Sequence, residues 1–123
     1  MAKRVLDVGN CDPDHAAIRA LVESNFDARV VQTHGAEDTL RELRRSRYDL
    51  VLVTRKLDRD YSDGLDVIRA IKADTALAGV PVMLVTNYEE HQQAAIDEGA
   101  VRGFGKAHLR APETTEMLRP FLT

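Results

Sequence analysis

The stretch Tyr48 to Gly64, YDLVLVTRKLDRDYSDG, decides the fold. Tyr48-Asp49 leads into Leu50-Val51-Leu52-Val53, an unbroken apolar run that stops at Thr54-Arg55-Lys56. Such a run between polar flanks suits a strand buried on both faces, as in the middle of a parallel sheet. The polar loop that follows ends in Ser62-Asp63-Gly64, and Leu65, Val67, Ile68 and Ile71 then recur at helical spacing. Strand, loop and helix in that order form half of a βαβ unit. In open α/β sheets ligands and chemistry sit beyond the carboxyl ends of the strands, so Thr54 to Asp63 is the first place to seek a site.

The rest of the chain repeats the unit. Arg4 to Val8 reads as a first strand, closed by Gly9-Asn10-Cys11-Asp12-Pro13. Asp12 or Asp14 is expected to cap a helix, Pro13 being tolerated in its first turn, with Ala17, Ile18, Leu21 and Val22 on one face and Asn25 at its end. Ala28 to Gln32 is a short second strand, and a helix is expected over Ala36 to Arg47, with Leu40 and Leu43 inward and Arg41, Arg44 and Arg45 solvated. Pro81 fixes the entry of a fourth strand, Val82 to Val85. Glu89 to Glu98 reads as a polar helix stopped by Gly99. Val101 to Phe104 is expected to form a weak fifth strand. Pro112 to Leu122 is a last helix with Met117, Leu118, Phe121 and Leu122 inward and a kink at Pro120. Alternating β and α units predict one doubly wound parallel α/β domain over residues 1–123, with five strands.

Composition narrows the function classes. The chain has 123 residues, of which 44% are apolar and 30% charged, as in a globular domain. Its net charge of −3 gives no reason to expect nucleic acid as a partner. The longest apolar stretch, Val80 to Val85, is too short to span a bilayer, so no membrane role is expected. No basic-then-apolar leader precedes Val5, and the lone Cys11 excludes an intramolecular disulfide; both fit a reducing cytoplasm. His15, His34, His91 and His108 show no ligand spacing, so no metal is expected.

Four fragments carry a resemblance: VLDVGN with DPDHAAIRALVE, YDLVLVT with LD and DGLDVIRAIKAD, PVMLVTNY, and DEGAVRGFGK. In this order and spacing they resemble the receiver domain of bacterial two-component response regulators over essentially the whole chain. The resemblance implies a flavodoxin-like sheet of order 2-1-3-4-5, with the first and fifth helices on one face and the other three opposite. It also implies a phosphoacceptor aspartate ending the third strand, an acidic pair after the first strand that holds Mg²⁺, and a lysine ending the fifth. A Thr or Ser ending the fourth strand and an aromatic on the fifth report the change.

Laid on this sequence, the pattern is half present. Lys106 matches the lysine, although Ala107 stands where a proline usually follows, and Thr86 matches the switch hydroxyl. Phe104 is a candidate switch aromatic one place nearer the lysine than the pattern expects. The phosphoacceptor position falls on Thr54. The acidic pair falls on Gly9 and Asn10, or on Asn10 and Cys11 if the helix is aligned by Asp12-Pro13-Asp14. In neither alignment do two carboxylates remain. An uncharged alcohol needs a base, and no triad partner is visible. Arg55, Lys56 and Lys106 add positive charge where Mg²⁺ would need negative charge. The loop after Thr54 is also about two residues longer than the pattern and Thr86 to Lys106 about two shorter, and surface loops tolerate lengthening.

The resemblance therefore implies a pseudo-receiver: no enzyme, no cofactor, and action through protein partners, including a homodimer, on the face of the fourth helix, fifth strand and fifth helix, Glu89 to Leu122. Two alternatives stand beside it, a working receiver phosphorylated at Asp58 or Asp12 and a small anion binder near Lys106. Several residues have plain structural readings. Asp58, Asp60, Ser62 and Asp63 lack the glycine and glutamate of an EF-hand, so Ser62 or Asp63 is expected to cap the third helix. Lys106 is expected to pair with Asp12, Asp58 or another nearby acid, and Cys11 to be a small buried apolar residue.

Overall fold

The computed structural model describes residues 2–123. Four strands, β1 (Lys3–Val8), β2 (Ala28–Thr33), β3 (Leu50–Thr54) and β4 (Val82–Val85), form one sheet in the order β2-β1-β3-β4. Every pairing is parallel, with Val8 opposite Val53 and Thr54 opposite Val85. All five residues of β3 are buried, as the unbroken apolar run requires of a central strand. Each of its four Leu and Val side chains contributes roughly 1.5–3 kcal/mol relative to exposure.

Alternation along the strands divides the core in two. Leu6, Val8, Val51, Val53 and Leu84 face a cluster closed by Leu43 of α2 (Ala36–Arg45), by Leu65, Ile68 and Ile71 of α3 (Gly64–Ala73), and by Ala95 of α4 (Glu89–Asp97). Val5, Leu50, Leu52, Met83 and Val85 face Ile18 and Val22 of α1 (Asp12–Asn25) and Leu118 and Leu122 of α5 (Pro112–Leu122). Asp7, between Val5 and Gly9 on the α1/α5 side by the same alternation, is wholly buried.

Four expectations need correction. The fifth strand is absent: residues 101–104 run beside β4 but form only one bridge, Met83 to Val101. The cause is Gln92, a buried side chain reaching in from α4. Its Nε2 donates to Leu84 O at 2.9 Å and Thr86 O at 3.3 Å, and its Oε1 accepts from Gly103 N at 2.9 Å. The amide thus occupies the place of a ladder bond between Leu84 and Gly103. Main-chain bonds survive only on either side, Val101 N to Val82 O and Thr86 N to Phe104 O.

Cys11 is exposed rather than buried, because it is the N-cap of α1 beyond the carboxyl end of β1. Neither Asp12 nor Asp14 caps that helix. Asp12 is its first residue, and Asp14's carboxylate is taken by Lys106. Helix α2 ends at Arg45, two residues before the expected Arg47, where Ser46 turns extended. Asp63 does cap α3, its Oδ1 accepting from Leu65 N at 2.9 Å. Pro120 lies inside α5, which continues to Leu122. No described helix is long and apolar enough to cross a membrane.

Candidate functional site

The carboxyl ends of β1, β3 and β4 gather the residues singled out in the sequence. Register places position 9 level with Thr54, since Val8 pairs with Val53. Gly9 adopts φ +78°, a left-handed conformation that favours glycine. A Cβ there would lie 2.4 Å from Leu57 Cδ2 and 3.1 Å from Thr54 Cγ2. Thr54 is buried at the end of β3. Gly64 closes over it: a Cβ on Gly64 would lie 1.9 Å from the Thr54 carbonyl oxygen.

Leu57 explains the tight fit at Gly9. The lengthened loop folds back on itself, with Leu57 N donating to Ser62 O at 2.9 Å and Lys56 bridging Asp63 in antiparallel fashion. This turn drives Leu57, 2% exposed, down beside Gly9. Tyr61, at φ 60° and largely exposed, sits at the loop's tip with the Lys56 ammonium 5.3 Å from its ring. Arg55 is turned away to Asp63 at 3.0 Å, and Asp58 pairs with His34 at 3.1 Å. Arg55 and Lys56 therefore do not converge with Lys106 on a common anion site.

Sequence reasoning missed the centre of the site. Asp7 of β1 accepts from Asn10 Nδ2 at 2.6 Å and hydrogen-bonds His15 Nδ1 at 2.7 Å. Burial pushes the Asp7 carboxyl above its ordinary value, opposed by the bonds to Asn10 and His15 and by the positive charge of Lys106. The available signal was a charge inside an apolar strand, Asp7 in RVLDV, which demands an internal partner wherever the strand is central. His15, eight residues on and one turn into α1, is that partner.

Lys106 begins a short 3₁₀ turn, Lys106–His108, and its Nζ lies 2.8 Å from Asp14 Oδ2. That bond holds the Asp14 carboxyl below the usual range. The expected internal ion pair is present, with Asp14 as the acid. Thr86 is buried at the end of β4, its Oγ1 3.2 Å from His91 Nδ1. Phe104, 4% exposed, packs into the α1/α5 core. Asp12 is exposed, its Oδ1 3.4 Å from Gln32 Nε2.

A family model for the response regulator receiver domain matches residues 12–114. The chain belongs to the receiver domain family. Solved receiver structures superpose on it closely. The Vibrio cholerae chemotaxis protein CheY4 gives a TM-score of 0.81 at 17% identity, with 99% of this chain and 100% of that one covered. The signal receiver domain of a DNA-binding response regulator from Colwellia psychrerythraea gives 0.80 at 18% identity, covering 96% of each chain. HP1043, an orphan response regulator of H. pylori, gives 0.73 at 19% identity, covering 98% and 97%. At these identities the likeness is one of fold. The search of curated proteins found no match.

The family implies a divalent cation, and the residues present do not fit one. Gly9 has no side chain, Cys11 is exposed, and Asn10 turns its amide nitrogen to Asp7. Asp7 spends one oxygen on Asn10 and the other on His15. Asn10 Oδ1 is buried and unpartnered, a single neutral donor atom where a hard dication needs several charged oxygens. Among the described residues no cluster of three or more His, Cys, Asp or Glu has metal-binding geometry.

Proposed function

We propose that this receiver-family domain is a phosphorylation-independent signalling module, a pseudo-receiver that acts by binding protein partners rather than by catalysis. One observation carries the reading. Where the family's nucleophile and metal clamp belong, this chain has Thr54, Gly9 and the plug Leu57, with its one buried carboxylate, Asp7, satisfied internally. Carboxylates serve as nucleophiles because they are already ionised, whereas the Thr54 hydroxyl needs a base. No such base contacts it among the hydrogen bonds of the described residues.

The partner surface we assign is the face of α4, residues 101–104 and α5. It supports binding in two ways. Tyr88 and Val101, 62% and 37% exposed, are apolar groups left in solvent there. A groove of about 440 Å³ also opens on this face, and its lining includes Thr86, Arg102, Phe104, His108 and Met117. A second copy of the chain is one partner of suitable chemistry, since Tyr88 and Val101 would bury each other's apolar surface.

The test is an amide NMR spectrum of the chain alone, with Mg²⁺, and with Mg²⁺ plus beryllofluoride, a mimic of aspartyl phosphate. Unmoved peaks at Thr54, Thr86 and Lys106 at millimolar Mg²⁺ are expected. Joint movement of those peaks and of the α4 and α5 face would mean that a functional acid, Asp12 or Asp58 among them, still accepts a phosphoryl group.

A further inference from the structure

The face of α4, residues 101–104 and α5 is uneven in charge. Helix α4 carries Glu89, Glu90 and Asp97 and no Lys or Arg, and α5 adds Glu113 and Glu116. The cations on these elements are both spent there. Arg102 meets Glu89 at 2.6 and 2.8 Å, and Arg119 meets Glu116 at 3.0 and 3.1 Å. Glu90, Asp97 and Glu113 are exposed, and none of them has a cation as partner among the described residues. In the turn before α5, Lys106 is held by Asp14, and Arg110 lines a separate groove against α1. The groove on the α4 and α5 face is thus rimmed by Glu89 and Glu113 and lined with apolar surface by Phe104 and Met117. Tyr88 and Val101, both exposed, are the chain neighbours of its lining residues Glu89 and Arg102.

We propose that this groove takes a basic amphipathic segment of another protein, which lays an apolar side chain over Met117 and sets its Lys or Arg side chains against Glu90 and Glu113. The inference rests on the reading of this face as the partner surface and adds the chemistry of the partner. Charge complementarity selects the occupant: three uncompensated carboxylates attract a basic segment and repel an acidic one, while the exposed apolar groups give it something to bury. The same charges weigh against a second copy of the chain. A two-fold dimer brings one patch against itself, so the apolar match of Tyr88 and Val101 would set those carboxylates facing their own kind. A basic partner gains the apolar contact without that repulsion.

The experiment titrates the ¹⁵N-labelled chain, without divalent metal, with two synthetic amphipathic peptides, one of Leu and Lys and one of Leu and Glu. The Leu–Lys peptide should move the amides of Tyr88, Val101, Arg102 and Glu113 together, and the Leu–Glu peptide should move none of them. Glu90→Gln and Glu113→Gln should each weaken binding of the Leu–Lys peptide about two- to fivefold, the worth of one exposed charge pair. Asp27→Asn combined with Glu37→Gln, exposed acids outside this face, removes as much net charge as both and should leave the affinity unchanged. The proposal is overturned if that control weakens binding equally, since net charge alone would then be the attraction, or if the Leu–Lys peptide leaves the face unmoved or the Leu–Glu peptide moves it as well. Movement of Tyr88 and Val101 with chain concentration alone overturns it too, in favour of a second copy. Failure of the underlying phosphorylation-independent reading looks different: beryllofluoride with Mg²⁺ would move the same peaks with no peptide present.

Discussion

Gln92→Leu tests why this receiver domain has four strands. Gln92 is 4% exposed and bonds Leu84 O, Thr86 O and Gly103 N. Leucine has similar bulk and no polar atoms, so it fills the space while stranding Gly103 N and Leu84 O in a buried setting. An unmet buried polar group costs about 1–3 kcal/mol, so two cost roughly 2–6 kcal/mol. That is a large share of the roughly 5–15 kcal/mol by which domains are stable. With a urea dependence of about 2 kcal/mol per molar, the unfolding midpoint should fall by about 1–3 M. Urea unfolding followed by circular dichroism gives the midpoint, and amide hydrogen exchange at Gly103 gives the local effect, which should be faster exchange. The refuting result is an unchanged midpoint with Gly103 still protected. Gly103 N would then bond Leu84 O directly, closing a fifth strand, and Gln92 would not be what keeps the sheet at four.

Other perturbations probe the site. Gly9→Ala combines a left-handed φ of +78° with a Cβ 2.4 Å from Leu57 Cδ2, so a loss of about 2–4 kcal/mol is expected in chemical unfolding; a loss under ~1 kcal/mol would show that Leu57 yields. Thr54→Asp restores a carboxylate without its metal clamp, so intact-mass spectrometry after acetyl phosphate and Mg²⁺ should show no phosphoryl adduct, and a stoichiometric adduct would mean that the pocket still holds Mg²⁺. Asp7 fixes a pH dependence. Burial raises its folded value above the ordinary 3.8, so the folded state binds its proton more tightly than the unfolded chain. That contribution is fully present below 3.8 and lost as pH rises through the folded value, so Asp7→Asn should gain stability relative to the parent as pH rises above 3.8; a constant difference refutes it. Tyr88→Ala, at an exposed position, should change stability by less than about 0.5 kcal/mol yet weaken capture of the protein partner, and undiminished capture moves the partner surface elsewhere.

The sequence made the sheet legible because burial on both faces leaves a simple mark. LVLV and VMLV have no polar residue to confuse the pattern, and both are strands in the structure. The α3 cap, read as Ser62 or Asp63, was legible because it is a local demand met within the loop itself, whereas the acid for Lys106 comes from α1 and was legible only as some nearby acid. The fifth strand was not. Val101 to Phe104 has the composition of a weak strand, but whether it pairs depends on a side chain from α4 that reads as an ordinary polar helical residue. Leu57 was hidden in the same way. In a loop of Asp, Arg and Ser it reads as an isolated apolar residue, and only the turn that bonds Leu57 N to Ser62 O shows that it is a plug. Asp7 and His15 were lost because the family pattern drew attention to positions 9 to 11, two to four residues past the carboxylate that matters.

Fold and chemistry come apart here because they rest on different residues. The receiver fold is held by two apolar clusters and parallel register, none of which touches positions 9 or 54 through a charged group. The family's chemistry needs charged groups at the ends of β1 and β3, and each of those positions is now constrained by something else. Position 9 has no room for a carboxylate while Leu57 lies against it, and Leu57 is held there by the turn of residues 57–62. Position 10 is bound to Asp7, and Asp7 to His15. Restoring the aspartate at position 54 therefore supplies a nucleophile to a pocket whose metal side is closed by packing and by hydrogen bonds that stabilise one another. On the proposed reading, opening the metal side would require rebuilding the loop between Lys56 and Asp63 and breaking the Asp7–His15 hydrogen bond, a change far larger than one residue. A pocket closed from three sides by a backbone conformation, an apolar plug and a buried network behaves as structure.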